Sequence, residues 1–496
     1  MKSFPEIDWN LLMPQVALVT AVFFLLVLAA LYRSRGGSRG PVAAGAVLSL
    51  AGLAVAGWMC VAQWDYVGGT FGQMVRIDPF STFFNLLFIG GAAACVLLSI
   101  REAGSLRAVS GEYYALVVTA AFGMMVMVSA ADLLVVFIGL ETMSLAIYIL
   151  VGSRREKSES NEGALKYFLI GAFASGFLIY GIALLYGVTG TTRLEELAAG
   201  LSPAGAEVSS LELVALALVL IGFFFKIAAV PFHMWVPDAY EGAPTPITAY
   251  MAVAVKAAAF GVLLRLLGVG LLPLADYWLP VMWTLAVVTM TVGNLAAVFQ
   301  GSIKRMLAYS SIAHAGYLLV ALASIDPAAV STADDRAALS VAFYLVVYTL
   351  MNVGAFGVLV YLNSSGTRLE TLEQVRGAGF RYPLLGAAMA VFMFSLAGIP
   401  PTGGFLAKFY VFATAVERGL VSLAVIAVLN SAVSVYYYLR VIVQMFMRES
   451  DSALPSLPFS LPLAAAILVS VWGVLQLGIL PSPLLDVAGR AVLFLK

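Results

Sequence analysis

Apolar runs of about twenty residues recur from end to end of the chain, separated by short loops. A run of that length is enough for a helix rising 1.5 Å per residue to cross the hydrocarbon core of a bilayer. The pattern predicts about fourteen spans, near residues 11–32, 41–63, 80–100, 112–130, 132–152, 163–188, 211–231, 244–268, 277–300, 303–324, 338–362, 382–418 (interrupted), 420–447 and 458–480. The first run, Leu11 to Tyr32, lacks a basic leading segment and a small-residue cleavage site, so it is expected to remain as the first helix. The expected fold is an all-α integral membrane protein.

Composition agrees. The 496 residues are 62% hydrophobic and only 11% charged, against roughly 25% charged in a soluble domain, and the mean hydropathy is +0.99. Lys plus Arg and Asp plus Glu both number 27, and a net charge near zero argues against nucleic acid and leaves no basic domain to hold it. The expected partners are membrane lipids and other membrane subunits. The two cysteines, Cys60 and Cys95, stand alone inside apolar runs, so they read as core packing and support neither a disulfide framework nor an iron–sulfur site.

The loops carry a charge bias. With the N-terminus outside, inner loops receive Arg33, Arg35, Arg39, Arg101, Arg107, Arg154, Arg155, Lys157, Lys304, Arg305, Arg368, Arg376, Arg381, Arg440 and Arg448. Outer segments receive Lys2, Arg76, Arg193, Arg336, Arg418, Arg490 and Lys496. A bias of roughly two to one places both termini on the outer face, the periplasm of a bacterial inner membrane.

The charges that remain lie within spans: Glu141, Lys166, Lys226, Lys256, Arg265 and Lys408. Each charge near mid-bilayer costs at least ~2.5–3.5 kcal/mol. Arg265 near the end of its span and Lys166 near the beginning of its own can reach the headgroups by snorkelling. Glu141, Lys226, Lys256 and Lys408 sit too deep, which points to a transport role over a purely structural ion pair. Two of these lysines adjoin helix breakers. Pro231 follows Lys226 by five residues, and Pro400, Pro401, Gly403 and Gly404 come just before Lys408. Freed backbone groups at that depth mark a wet cavity, or else a bend made for packing. Spans four to eight (112–268) and nine to thirteen (277–447) each hold five helices with the interrupted one fourth. An odd number of spans inverts the second unit, as in many transporters. A three-helix segment (1–105) precedes the two units, and a C-terminal helix and tail (458–496) follow. On the tenth span Ser310, Ser311, His314 and Tyr317 form a polar stripe at i±3 and i±4 spacing, either a hydrated wire or a helix–helix seam.

The stretches DLLVVFIGLETMSLAIYIL (132–150), EGALKYFLIGAFASGFLIYGIALLYGVTGTT (162–192), FKIAAVPFHMWVPDAYEGAPTPITAYMAVAVKAAAF (225–260), GSIKRMLAYSSIAHAGYLL (301–319) and FSLAGIPPTGGFLAKFYVF (394–412) closely resemble the proton-translocating antiporter-like subunits of respiratory NADH:quinone oxidoreductase, complex I. The likeness runs from about residue 80 to 450. It implies that Glu141 is the carboxylate of the fifth span, with Lys226 its partner on the seventh. Lys256 would be the central lysine of the eighth span and Lys408 the exit-side lysine of the twelfth. Lys166 matches a sixth-span lysine of the family. His233, seven residues after Lys226, is placed to relay protons if the helix resumes past Pro231, and His314 is a further relay candidate. Burial disfavours the ammonium form of a lysine and a nearby carboxylate favours it, so a line of such lysines can pass protons as charges rearrange. No cofactor is expected in this chain. FMN, iron–sulfur clusters and quinone are expected in the membrane and peripheral subunits of the complex, which would supply the drive. A multisubunit Na⁺/H⁺ antiporter or membrane-bound hydrogenase shares the expected fold. A passive membrane scaffold would instead tolerate neutralisation of the buried charges.

Overall fold

The structure, a computed structural model, describes residues 7–33, 40–101, 110–205, 207–328, 336–366, 369–450 and 454–495. Of the loop charges named above, Lys2, Arg35, Arg39, Arg107, Arg368 and Lys496 lie outside the described residues. Among the described residues 13 helices are long and apolar enough to cross a membrane. A further crossing is made by two shorter helices in succession, Pro383–Ala397 and Gly403–Glu417. Fourteen crossings are even in number, so both ends of the chain emerge on one face.

The spans start where local chemistry caps them. The Asp78 carboxylate accepts from the Ser81 amide at 2.8 Å while the Ser81 hydroxyl accepts from the Asp78 amide, a reciprocal cap on span three, Pro79–Ser99. Ser209 and Glu212 cap span seven in the same way, and Asp132 caps span five, Leu133–Val151, through the Leu134 amide. The most enclosed spans are eight (Thr245–Gly270) and ten (Ile303–Ala323), each 94% buried, and eleven (Arg336–Leu362), 89% buried. The others wrap them and expose apolar side chains outward, as a lipid-facing surface requires.

Both interruptions occur within spans seven and twelve, with bounds the sequence pattern had blurred. Span seven ends at Ile227 with Ala228 in the left-handed region (φ 63°), turns through residues 228–234, and resumes as Trp235–Gly242. The break therefore begins right after Lys226, ahead of Pro231. Span twelve ends at Ala397, with Gly398 at φ 85°, and restarts at Gly403. Gly403 and Gly404 thus open the second half-helix rather than belonging to the break. A Cβ on Gly404 would come within 1.9 Å of the Ser395 carbonyl oxygen, so only glycine lets the two half-helices approach so closely. Span eight is continuous but widens into π-turns at Met251–Val255 and Leu266–Gly270. Such turns are found mostly at functional positions.

Three elements were not anticipated from the apolar pattern. A hairpin pairs Gly68–Thr70 with Val75–Ile77, a short helix covers Leu194–Gly200, and an amphipathic helix, Ser482–Val492, packs on spans three and eleven. The hairpin joins neighbouring loops: the Arg76 amide donates to Ser129 O at 2.7 Å and the Ala131 amide to Met74 O at 2.9 Å.

Arg265 does not reach for the headgroups. Its guanidinium is buried and pairs with the fully buried Asp78 carboxylate at 2.6 Å, while donating to Val128 O at 3.1 Å. Arg76 joins the same carboxylate at 3.3 Å. Asp78→Asn keeps the helix cap but leaves Arg265 buried with only the weaker partners, a loss of about 3–5 kcal/mol for a broken buried pair. The expected result is a clear drop in the melting temperature of the purified assembly, largely regained in Asp78→Asn/Arg265→Met. Melting unchanged by Asp78→Asn would show that the pair contributes little.

Candidate functional site

The buried lysines each project into a polar pocket built from neighbouring helices, and none has an ion-pair partner among the described residues. Lys226, on the last turn of the first half of span seven, donates to Ser144 Oγ at 2.7 Å and to Tyr148 OH at 3.2 Å. The Ser144 hydroxyl gives its own proton to Leu140 O at 2.5 Å, which leaves its lone pairs for the ammonium. Lys226 also lies over the rings of Tyr148 and Phe225, 5.4 and 5.2 Å from their centroids. Glu141, one turn before Ser144 on span five, does not form the direct pair with Lys226 that the resemblance implied. Its carboxylate, half-buried on the flank of the protein, accepts from Ser175 of span six. The i, i+3 step from Glu141 puts Ser144 on the same face of span five as the carboxylate, and Ser144 and Tyr148 could have been found from their spacing to Glu141.

Lys256 follows directly on the first π-turn of span eight and is buried. It donates to both the carbonyl and the hydroxyl of Ser311 on span ten. The stripe forecast on span ten is therefore real in space. Ser311 meets Lys256 and the Tyr240 hydroxyl at 3.3 Å. His314, one turn on, sits with Nδ1 2.6 Å from Tyr344 OH and Nε2 3.1 Å from Tyr438 OH, and Tyr438 OH bonds Ser310. Tyr317 then stacks its edge on His314 with centroids 5.6 Å apart. At the far end, Lys408 lies 5.1 Å over the Tyr317 ring and donates to Ala397 O at 3.0 Å and Ser431 Oγ at 2.9 Å. One face of a single helix thus runs from Lys256 to Lys408. Tyr344, Tyr438 and Ser431 come from spans eleven and thirteen, and nothing in the local sequence announces them.

Two other candidates stand apart from this line. His233 falls in the turn between the halves of span seven, so the two-turn helical spacing from Lys226 does not hold. Its Nδ1 is buried without a hydrogen-bond partner among the described residues. Lys166 is 44% exposed and belongs to a cluster on the face opposite the termini. It pairs with Glu162 at 2.6 Å and Asp238 at 2.7 Å, while Arg305 bridges Asp238 at 3.0 Å and Glu241 at 2.9 Å. Lys304, expected in a loop, is instead buried at the start of span ten and donates to Ala243 O at 2.6 Å and Glu241 O at 3.2 Å. It caps the carbonyl end of the short helix Trp235–Gly242. Arg440 is likewise not in a loop but on span thirteen (Val421–Met447), donating to Val298 O and Gln300 O at the end of span nine.

A membrane protein with broken helices and a buried lysine line has the architecture of the antiporter-like transporters, and comparison with known proteins agrees. Residues 130–434 match the family model described as NADH:quinone oxidoreductase/Mrp antiporter, transmembrane, and the chain belongs to that family. It is 46% identical over 489 residues to NADH-quinone oxidoreductase subunit N of Trichlorobacter lovleyi, covering 99% of this chain and 98% of that one. To the subunit N of Chloroflexus aggregans it is 41% identical, covering 99% of each. Among solved structures, a chain of respiratory complex I from Thermus thermophilus with bound aureothin is 35% identical at a TM-score of 0.78, covering 96% of this chain and 99% of its own. A chain of the Mrp complex from Dietzia superposes with a TM-score of 0.84 at 23% identity, over 98% of this chain and 97% of its own, a likeness of fold.

Gly398 is fixed by two constraints. Its φ of 85° disfavours any side chain, and a Cβ there would lie 3.0 Å from Lys408 Cδ. Gly419 has φ 76° with open space around it. Alanine at either position costs about 1–2 kcal/mol in backbone strain, so Gly398→Ala is expected to lower the melting temperature of the assembly more than Gly419→Ala. Equal shifts would mean that the Lys408 side chain is free to move aside.

Proposed function

We propose that this chain is the subunit N of a bacterial NADH:quinone oxidoreductase and carries protons across the membrane along Glu141, Lys226, Lys256, His314 and Lys408. The observation that supports this most is the partnering of the lysines. Lys226, Lys256 and Lys408 are nearly fully buried, and their ammonium groups rest on hydroxyls, carbonyls and ring faces. Neutral acceptors stabilise the protonated lysine without leaving an uncompensated carboxylate when the proton departs. A lysine locked against a carboxylate at contact distance would hold its proton instead.

In this reading Glu141 acts on Lys226 across Ser144. When the carboxylate's field is strong the proton stays on Lys226; when a neighbouring subunit draws that charge away, the proton moves toward Lys256. Ser311 and His314, with the hydroxyls of Tyr344 and Tyr438, span the distance from Lys256 to Lys408. The sites titrate as a coupled set. Lys408 releases its proton at the broken twelfth span toward the face that carries the termini, which is the periplasm. The cluster of Lys166, Asp238 and Arg305 lies on the cytoplasmic, uptake side, and His233 stands off the line. The inverted relation of spans four to eight and nine to thirteen gives each unit one broken helix with one lysine beside the break. FMN, iron–sulfur clusters and quinone belong to sister subunits, whose redox reaction drives the charge movements.

An Mrp-type antiporter is the second reading, favoured by the higher TM-score of the Dietzia chain. The identity of 35% to the complex I chain against 23% favours the first. Flavin and iron–sulfur subunits that copurify with this chain decide between them.

The direct test is proton pumping per electron delivered to quinone in vesicles, with assembly checked on native gels. Lys408→Met keeps the bulk and removes the proton site; Lys408→Arg keeps the charge but holds its proton at any working pH. Both are expected to assemble and to lower the ratio strongly, as is Glu141→Gln, with Glu141→Asp milder. Wild-type ratios in both assembled Lys408 variants would remove Lys408 from the path, and a wild-type ratio in Glu141→Gln would leave Glu141 a structural carboxylate.

A further inference from the structure

On the face opposite the termini, the start of span twelve and the end of span thirteen flank an open, shallow cavity of about 650 Å³. Arg381 and Arg448 line it, together with Phe380, Phe446, Met447 and Glu449. The pocket is built rather than incidental. A Cβ on Gly379 would lie 2.7 Å from the Phe446 ring and one on Gly386 2.8 Å from it, so these glycines clamp Phe446 against the first turn of span twelve. The Phe380 and Phe446 rings meet edge to face at 5.9 Å. The Gly377 amide donates to Gln444 O at 3.3 Å, and Arg376 Nε donates to Gln444 Oε1 at 3.2 Å.

Arg376 is thereby occupied, and it also lies 3.9 Å from Glu373. Arg381 and Arg448 are different: both are exposed, and neither forms an ion pair with a described residue. Among the described lining residues Glu449 is the one carboxylate and it pairs with neither arginine, so that described lining carries a net positive charge. The rim beside them is apolar, with Phe380 74% and Met447 72% exposed and Leu384 more so. These residues stand where Pro383–Ala397 and Val421–Met447 leave the membrane.

We propose that this cavity binds the headgroup of an anionic phospholipid, with Arg381 and Arg448 on its phosphate and the acyl chains running down past Phe380, Leu384 and Met447. Two guanidiniums at headgroup depth above an apolar flank match such a lipid in both charge and polarity, and basic pockets between membrane helices on the cytoplasmic side favour anionic headgroups. A free phosphate would use the arginines but not the rim. A protein partner seated here would need a carboxylate for each arginine and would cover the rim.

The test uses the purified complex containing this chain, reconstituted in phosphatidylcholine vesicles doped with photo-activatable phosphatidylglycerol or, in parallel, photo-activatable phosphatidylcholine. Crosslinks are mapped by peptide mass. Phosphatidylglycerol is expected to label the segments around Phe380 and Met447 on the order of tenfold or more above phosphatidylcholine. Arg381→Gln/Arg448→Gln should bring the two lipids level there while labelling elsewhere stays unchanged, and Arg381→Lys/Arg448→Lys should retain most of the preference. Equal labelling by both lipids, an unchanged preference in the glutamine variant, or no labelling because another subunit covers the pocket would overturn the proposal. Loss of phosphatidylglycerol labelling to excess inorganic phosphate would reassign the pocket to a free anion.

Discussion

A protonated lysine in the interior of a bilayer must satisfy three N–H donors without water at hand, and the architecture of this protein is arranged around that requirement. The solutions differ. Lys226 uses a serine whose proton is already committed to a helix carbonyl. Lys256 uses a serine hydroxyl together with the second lone pair of that residue's carbonyl. Lys408 uses Ala397 O, one of the carbonyls left over where the first half of span twelve ends. The broken helices are thus a source of acceptors at a depth where a continuous helix offers few.

The same device recurs at the edges of the lysine line. Lys304 satisfies carbonyls at the end of Trp235–Gly242, and Arg440 those at the end of span nine. A cation at a helix C-terminus also meets the negative end of the helix dipole, so each such contact offsets part of the cost of burying the charge through both hydrogen bonding and the dipole. Arg265 is the exception that needs a full counter-charge. Its partner Asp78 is tied down in turn by the cap of span three, which links span eight, span three and the hairpin.

Enclosure follows from these contacts. Spans eight and ten carry Lys256 and its acceptor, and with span eleven they are the most enclosed crossings. The half-exposed Glu141 lies instead on the flank. A carboxylate on the flank can feel a neighbouring subunit, while lysines inside can keep a proton from leaking to lipid. This division of positions connects packing to the transport reading.

The spans, the four deep charges and the two interruptions were all legible in the sequence, because hydrophobic length and helix-breaking residues act locally and a charge in an apolar run is costly wherever the chain folds. The polar stripe on span ten was legible too, since helical spacing alone puts Ser310, Ser311, His314 and Tyr317 on one face. Tertiary structure decided the rest. Only packing could bring Tyr344, Tyr438 and Ser431 to the stripe, bury Lys304 and Arg265, and set Lys226 on Ser144 and Tyr148 while Glu141 turns to Ser175. The spacing from Lys226 to His233 misled because the helix stops at Ile227; past a break, distance along the chain no longer gives direction in space. Each of those outcomes depends on which faces of distant helices meet, and the energy of that meeting is not written in any one segment.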